Sequence, residues 1–187
     1  MLFRSDKTKE DLRLALCNNL TCTDATIRML QSTFNVGEYT SLALTSTNNP
    51  VISYFNAFTN DLWLIMCNNP SCSTHVLRQI DNSTGANGWY TSLALTKTNI
   101  PVISYVNNTT NTLKLAICNN PLCTAPVIRT FEATSGLVTG ATSLALTSTN
   151  VPIIGFNLSY GTPLVGTNLS LGICSNPTCT SLTISTI

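Results

Sequence analysis

The amino-acid sequence predicts an all-β fold built from repeated four-stranded units. Three observations carry that prediction. The string TSLALT begins at Thr40, Thr91 and Thr142, a period of 51 residues. All eight cysteines lie in four boxes of one pattern, CNNLTC at Cys17–Cys22, CNNPSC at Cys67–Cys72, CNNPLC at Cys118–Cys123 and CSNPTC at Cys174–Cys179. No stretch combines the helical period with helix caps. Four short strands in about 50 residues, repeated, form the pattern of a propeller blade.

The second copy shows the elements in order. Residues 39–46 (YTSLALTS) alternate, with Leu42 and Leu44 on one face and Ala43 on the other. TNNP turns the chain, and Pro50 ends the ladder there. PVISYF at 50–55 is rich in β-branched and aromatic residues and reads as the second strand. NAFTN is a turn, DLWLIMC at 61–67 the third strand, and THVLRQI at 74–80, after the cysteine box, the fourth. DNSTGANG at 81–88 leads to the next copy. The last cysteine spacing is longer because 157–170 (NLSYGTPLVGTNLS) carries about five extra residues.

The chain thus reads as one domain, 1–187, with repeats at 1–37 (partial), 38–88, 89–139 and 140–187. In the first copy residues 1–5 align with the second strand, and no TSLAL strand precedes them. The expected total is 15 strands, with one inner strand lacking. Three explanations stay open: an upstream segment supplies the strand, another chain does, or the blade tolerates three. An unpaired strand edge recruits other strands.

The strings EYTSLALTSTNNPVISYFNAFTNDLWLIMC and WYTSLALTKTNIPVISYVNNTTNTLKLAIC resemble the β-propeller repeats common in secreted proteins, whose blades read roughly YTSLAL, NPVISYYD, DLKLA. The resemblance covers nearly the whole chain. It implies strands ordered from a central channel outward, and it says little about activity, because propellers host many unrelated functions.

Cysteines in pairs raise metal binding, redox chemistry or a staple. With one box per blade, neighbouring boxes stand too far apart to share one zinc ion at ~2.3 Å per bond. No Lys, Arg or His lies inside a box to lower a thiol pKa. The expectation is a local disulfide in each box, closing the hairpin between the third and fourth strands. Closing so short a loop stabilises by about 2 kcal/mol in the chain-entropy model.

Composition narrows the partners. Charged residues are 9% of the chain and the net charge is +1, so the basic patch of a nucleic-acid binder is missing. Ser, Thr and Asn supply 69 of 187 residues, which gives a neutral, hydroxyl- and amide-rich surface. No run reaches the length of a membrane span. MLFRSDKTKE has no apolar signal region, so an export signal is expected outside these residues. Paired cysteines favour an extracellular or cell-surface location. Sequons at Asn19, Asn82, Asn107, Asn108, Asn157 and Asn168 are candidate glycosylation sites.

Catalytic chemistry finds little footing. Arg28, Arg78 and Arg129 recur six residues after the first three boxes, with Ser185 after the fourth, on the expected outer strand, where their stems would cover apolar surface. Asp11 and Asp61 are repeat equivalents, but Thr112 and Asn168 replace them later, so a turn role is expected. His75 is the only histidine, and no phosphate loop is present. No catalytic, cofactor or metal residue is assigned. Tyr54, Tyr105 and Phe156 share one second-strand position and are expected to pack between blades. Trp89 and Tyr90, beside GANG, are the candidate ligand contacts. The functional expectation is a non-enzymatic extracellular structural module, self-associating into a homo-oligomer or filament through its open strand edge. The alternative is a carbohydrate-binding, lectin-like propeller.

Overall fold

The computed structural model describes residues 2–6, 11–32, 35–132, 136–160 and 166–187. Met1, Glu10 and part of the long segment before the last box (161–165) lie outside the described residues. All regular structure in the described residues is β, arranged as four antiparallel sheets. The first sheet has three strands, β1 (Leu2–Asp6), β2 (Asp11–Cys17) and β3 (Ala25–Gln31). The second runs β4 (Val36–Leu44), β5 (Pro50–Asn56), β6 (Asp61–Cys67) and β7 (His75–Asp81). The third runs β8 (Asn87–Leu95), β9 (Pro101–Asn107), β10 (Thr112–Ile117) and β11 (Val127–Phe131). The fourth is built on β14 (Pro152–Tyr160), β15 (Gly166–Cys174) and β16 (Leu182–Thr186), with β12 (Leu137–Val138) and β13 (Ser143–Leu146) both paired to β14.

The fold is therefore all-β and propeller-like, with four blade repeats, the first of three strands. β1 forms an edge of its sheet. Among the described residues there are sixteen strands rather than the expected fifteen, because the inner strand of the fourth blade is broken in two. One residue explains the break. In β4 and β8 the positions Gly37 and Gly88 have φ of +87° and +108°, and both press on the preceding blade. A Cβ on Gly88 would sit 3.0 Å from the Leu62 Cα. The equivalent residue in the fourth blade is Thr139. A β-branched side chain is excluded from that conformation. The positive φ moves on to Gly140, and regular pairing lapses between β12 and β13.

Asparagine sets the turns. Asn48, Asn99 and Asn150 take positive φ in the first turn of each four-stranded blade, and Asn60 and Asn111 do so in the second. This residue tolerates the left-handed region. Much of the Asn-rich composition is thus turn geometry. In the cysteine boxes the second Asn folds the loop: Asn69 Oδ1 accepts from the Ser73 N–H and the Ser71 hydroxyl, and Asn69 O accepts from the Cys72 N–H. The second cysteine of every box has φ between 46° and 53°. All four local disulfides form, Cys17–Cys22, Cys67–Cys72, Cys118–Cys123 and Cys174–Cys179, with Cα atoms 4.7–4.8 Å apart.

Burial lies between blades. Leu12 and Leu14 of the first blade meet Ile52, Tyr54 and Ile65 of the second. Leu62, Leu64 and Met66 on the opposite face meet Ile103, Tyr105 and Ala116 of the third. Val102, Leu113 and Leu115 then meet Ile154, Phe156 and Leu158 of the fourth. The expected packing role of Tyr54, Tyr105 and Phe156 matches their full burial. A polar clasp repeats beside each apolar contact. Thr91 donates to the Tyr39 carbonyl at 2.8 Å and meets the Ser53 hydroxyl at 2.8 Å. One blade on, Thr142 donates to the Tyr90 carbonyl at 2.9 Å and meets Ser104 at 2.8 Å.

Gly88→Ala should lower stability by at least about 1 kcal/mol, since the residue combines a positive φ with a backbone neighbour. Chemical denaturation of the two proteins measures this, and equal midpoints would contradict the account of the broken strand.

Candidate functional site

The second and third blades meet at a polar groove of roughly 420 Å³. Thr59, Asn60 and Asp61 form one wall, the link residues Asn82, Ser83, Gly85 and Ala86 the other, and Thr109 closes the end. Beneath Ser83 lies a buried ionic network. Lys114 Nζ donates to Asp81 Oδ2 at 2.5 Å, Ser83 Oγ at 2.8 Å and Asn87 Oδ1 at 2.9 Å. Tyr105 OH donates to the same Asp81 oxygen at 2.6 Å, and the ammonium lies 5.8 Å from the Tyr105 ring centroid. Asn107 Nδ2 donates to Asn87 Oδ1 at 3.0 Å and to the Thr84 carbonyl at 3.2 Å.

Burial works to raise the Asp81 carboxyl, but hydrogen bonds from Lys114, Tyr105 and Ser83 outweigh it and hold the group below its ordinary 3.8. Burial, with the Asp81 charge beside it, pushes the Tyr105 phenol well up. Both groups therefore hold their roles at neutral pH, Asp81 as acceptor and Tyr105 as donor.

The network has no copy at the other junctions. At the first, the equivalent residues are Gln31, Tyr54 and Trp63, and Tyr54 donates to Gln31. At the third they are Glu132, Phe156 and Ser170, and the Ser170 hydroxyl is buried without a hydrogen-bond partner among the described residues.

Two residues along β8 from Asn87 stands an aromatic cluster. Tyr39 lies 4.9 Å from Trp89 and 4.6 Å from Tyr90, ring centroid to ring centroid. Phe55 lies 5.8 Å from Trp89 and backs the group from β5. Phe55 is buried, whereas Tyr39, Trp89 and Tyr90 are partly exposed. The positive φ of Tyr39 and Tyr90, at 50° and 55°, falls where β4 and β8 shift register against their partners. These bulges re-aim the inner-strand side chains. The Trp89 Nε1 atom is itself buried and has no partner among the described residues. Burial first, then Tyr90 and the Glu38 carboxylate, push the Tyr39 phenol up to about 12, so it stays a donor at neutral pH.

The structure thus joins the sequence candidates Trp89 and Tyr90 to Tyr39 and Phe55. Arg28, Arg78 and Arg129 lie on β3, β7 and β11, and Arg129 Nε donates to the Thr178 carbonyl of the next blade. Asp11 and Asp61 are not turn residues. They open β2 and β6 and are nearly buried, bonded to Arg13 and Gln79. Among the sequons, Asn19, Asn82, Asn157 and Asn168 are exposed and Asn108 half-buried. Asn107 is corrected as a glycosylation candidate, since it is 4% exposed and its amide nitrogen is engaged twice. Among the described residues there is no cluster of three or more metal-ligating side chains, and no helix long and apolar enough to cross a membrane. The disulfides point to an oxidising compartment.

No protein-family model matches the chain, and no curated protein matches it in sequence. Among solved structures the chain is similar to a GH43 β-1,3-galactosidase, with a TM-score of 0.54 and 8% identity over 86% of this chain. The match spans 37% of the galactosidase chain. Likeness at this identity shows the fold, a β-propeller, and nothing finer.

Asp81→Gln should destabilise by about 3–5 kcal/mol, because it strands a buried ammonium. Adding Lys114→Trp, which recreates the Gln31–Tyr54–Trp63 arrangement, should restore most of that loss in denaturant melts. The depressed carboxyl stabilises the fold above its ordinary value of 3.8, and that contribution is lost as pH falls through its folded value. The double variant should therefore lose less stability on acidification than the parent.

Proposed function

We propose that the chain is a non-catalytic carbohydrate-binding propeller of an extracellular or cell-surface protein, with its site on the inner strands at Tyr39, Trp89 and Tyr90. The observation that carries this reading is the aromatic cluster of Tyr39, Trp89 and Tyr90, three partly exposed rings from two blades. Sugars stack their C–H faces on aromatic rings. The bulged inner strands put three partly exposed rings together at one blade junction. The polar groove at the same junction adds Asn60 and Asn82 as hydrogen-bonding groups.

Binding is favoured over hydrolysis by the state of the carboxylates. Glycoside cleavage needs a facing pair. Glu38 adjoins the cluster in sequence, but Asp81 is held by Lys114 and Tyr105. The fold relative that is a galactosidase supports a glycan as the ligand class, and galactose-containing oligosaccharides are the first to try. Self-association through an open strand edge, the first function expected from the sequence, draws on a different surface, the edge at β1.

The test uses the two tryptophans. Trp63→Phe leaves Trp89 as the sole indole. A bound oligosaccharide should then shift its emission, and Trp89→Ala should weaken binding by about tenfold, the worth of one stacked ring. A folded protein that binds nothing on a glycan array would contradict the proposal.

A further inference from the structure

The buried network beneath the groove brings together an amine and a carboxamide that no other blade pairs. Asn87 stands at the head of β8, where the second and fourth blades bury Val36 and Val138. Lys114 stands on β10, where the other copies carry Arg13, Trp63 and Ser170. Asn87 is 0% and Lys114 5% exposed. Burying an amide where a valine fits is costly unless a partner meets it. The two residues flank β9 in one sheet, 27 apart in sequence.

The groups around the Asn87 carboxamide form a reaction set. Lys114 Nζ lies 2.9 Å from Asn87 Oδ1, so the side-chain carbonyl carbon is one bond beyond that contact. Asp81 Oδ2, 2.5 Å from Nζ, is a proton acceptor for the amine. Asn107 Nδ2 donates to Asn87 Oδ1 at 3.0 Å, where it polarises the carbonyl and is placed to hold the charge of a tetrahedral intermediate. Asn87 Nδ2 donates to the Ser83 carbonyl at 2.6 Å and the Gly85 carbonyl at 3.1 Å. Ser83 and Gly85 line the polar groove, so a nitrogen released there has a path to water.

We infer that Lys114 and Asn87 condense into an intramolecular amide bond between β10 and β8. Lys114 passes a proton to Asp81, and the neutral amine attacks Asn87 Cγ. The Nζ–Cγ bond forms and the Cγ–Nδ2 bond breaks. Nδ2 leaves as ammonium, carrying the two protons that Nζ gives up. No oxidant, reductant or cofactor enters. A dry site brings the neutral amine–acid pair closer in energy to the ion pair than water does, which eases the first proton transfer. Fixed geometry removes the cost of bringing the reactants together. The reaction runs once per molecule, so a slow rate suffices. The bond is independent of glycan binding. It ties the inner strand of the third blade to its third strand, behind the wall of the groove.

Intact-mass spectrometry of the whole chain, with its disulfides formed and after incubation at neutral pH, tests this. The expected mass is one ammonia below that of the disulfide-bonded sequence. Trypsin should then fail to cut after Lys114 and should release residues 79–97 joined to residues 98–129. Closure of Asn87 onto the Gly88 nitrogen also releases ammonia, but it leaves those two peptides separate. Asp81→Asn, which keeps the side-chain shape, should hold the chain at full mass with the circular dichroism of the parent. The parent's mass decides the matter whether or not that variant folds. A parent at full mass overturns the inference, as does a loss of ammonia with normal cleavage after Lys114. A folded Asp81→Asn variant that still cross-links overturns the role given to Asp81.

Discussion

The junction between consecutive blades is the constraint on which the rest of the structure depends. A four-stranded sheet of about 50 residues with apolar side chains on both faces cannot bury them alone, so its stability is borrowed from its neighbours. The internal blades show the consequence: their middle strands, β5 and β9, are buried along their whole length. The apolar contact is not selective by itself, since Leu, Ile and Val recur at each junction. The clasp of Thr91 on Ser53 and the Tyr39 carbonyl adds direction. It fixes the height of one inner strand against the next, and its copy at Thr142 does so again.

Where the junctions differ, function finds room. The first sets Gln31, Tyr54 and Trp63 and the third Glu132, Phe156 and Ser170 where the second sets Asp81, Tyr105 and Lys114, so only the second holds a cation there. That buried pair, linked to Ser83 and Asn87, holds the link between the blades and hence the wall of the groove above it. The aromatic cluster is specific to the same place. It needs Tyr39 from one blade and Trp89 and Tyr90 from the next, and the fourth blade supplies Gly140 and Ala141 at the matching positions. A repeat fold thus yields one singular site by varying a few side chains at one seam, which fits the separation of fold from function.

Much of the fold was legible in the sequence because its signals are local and repeated. The period, the alternation in TSLAL and the cysteine spacing each act within a few residues, and the three-stranded first sheet followed from counting back from Cys17. The site was legible only in part. Trp89 and Tyr90 stood out as aromatic neighbours, but Tyr39 joins them from a blade 51 residues earlier. Lys114 and Asp81 are 33 residues apart, on neighbouring blades, and Lys114 occupies a position held by Arg13, Trp63 and Ser170 in the other copies. A period reports what the copies share, so it is silent on a residue that one copy alone possesses. The split of the last inner strand escaped for a related reason: Thr139 looks innocuous until the positive φ of Gly37 and Gly88 is known.

The central claim is that cohesion runs through blade junctions rather than through one common core. Native-state amide hydrogen exchange, resolved strand by strand on dilute protein, tests it most directly. The account predicts graded protection, with β5, β6, β9 and β10 slowest, because their blades are packed on both faces. The strands of the two end blades, β2, β3, β15 and β16, should exchange sooner. Uniform protection across all four blades, with one common opening energy, would contradict it.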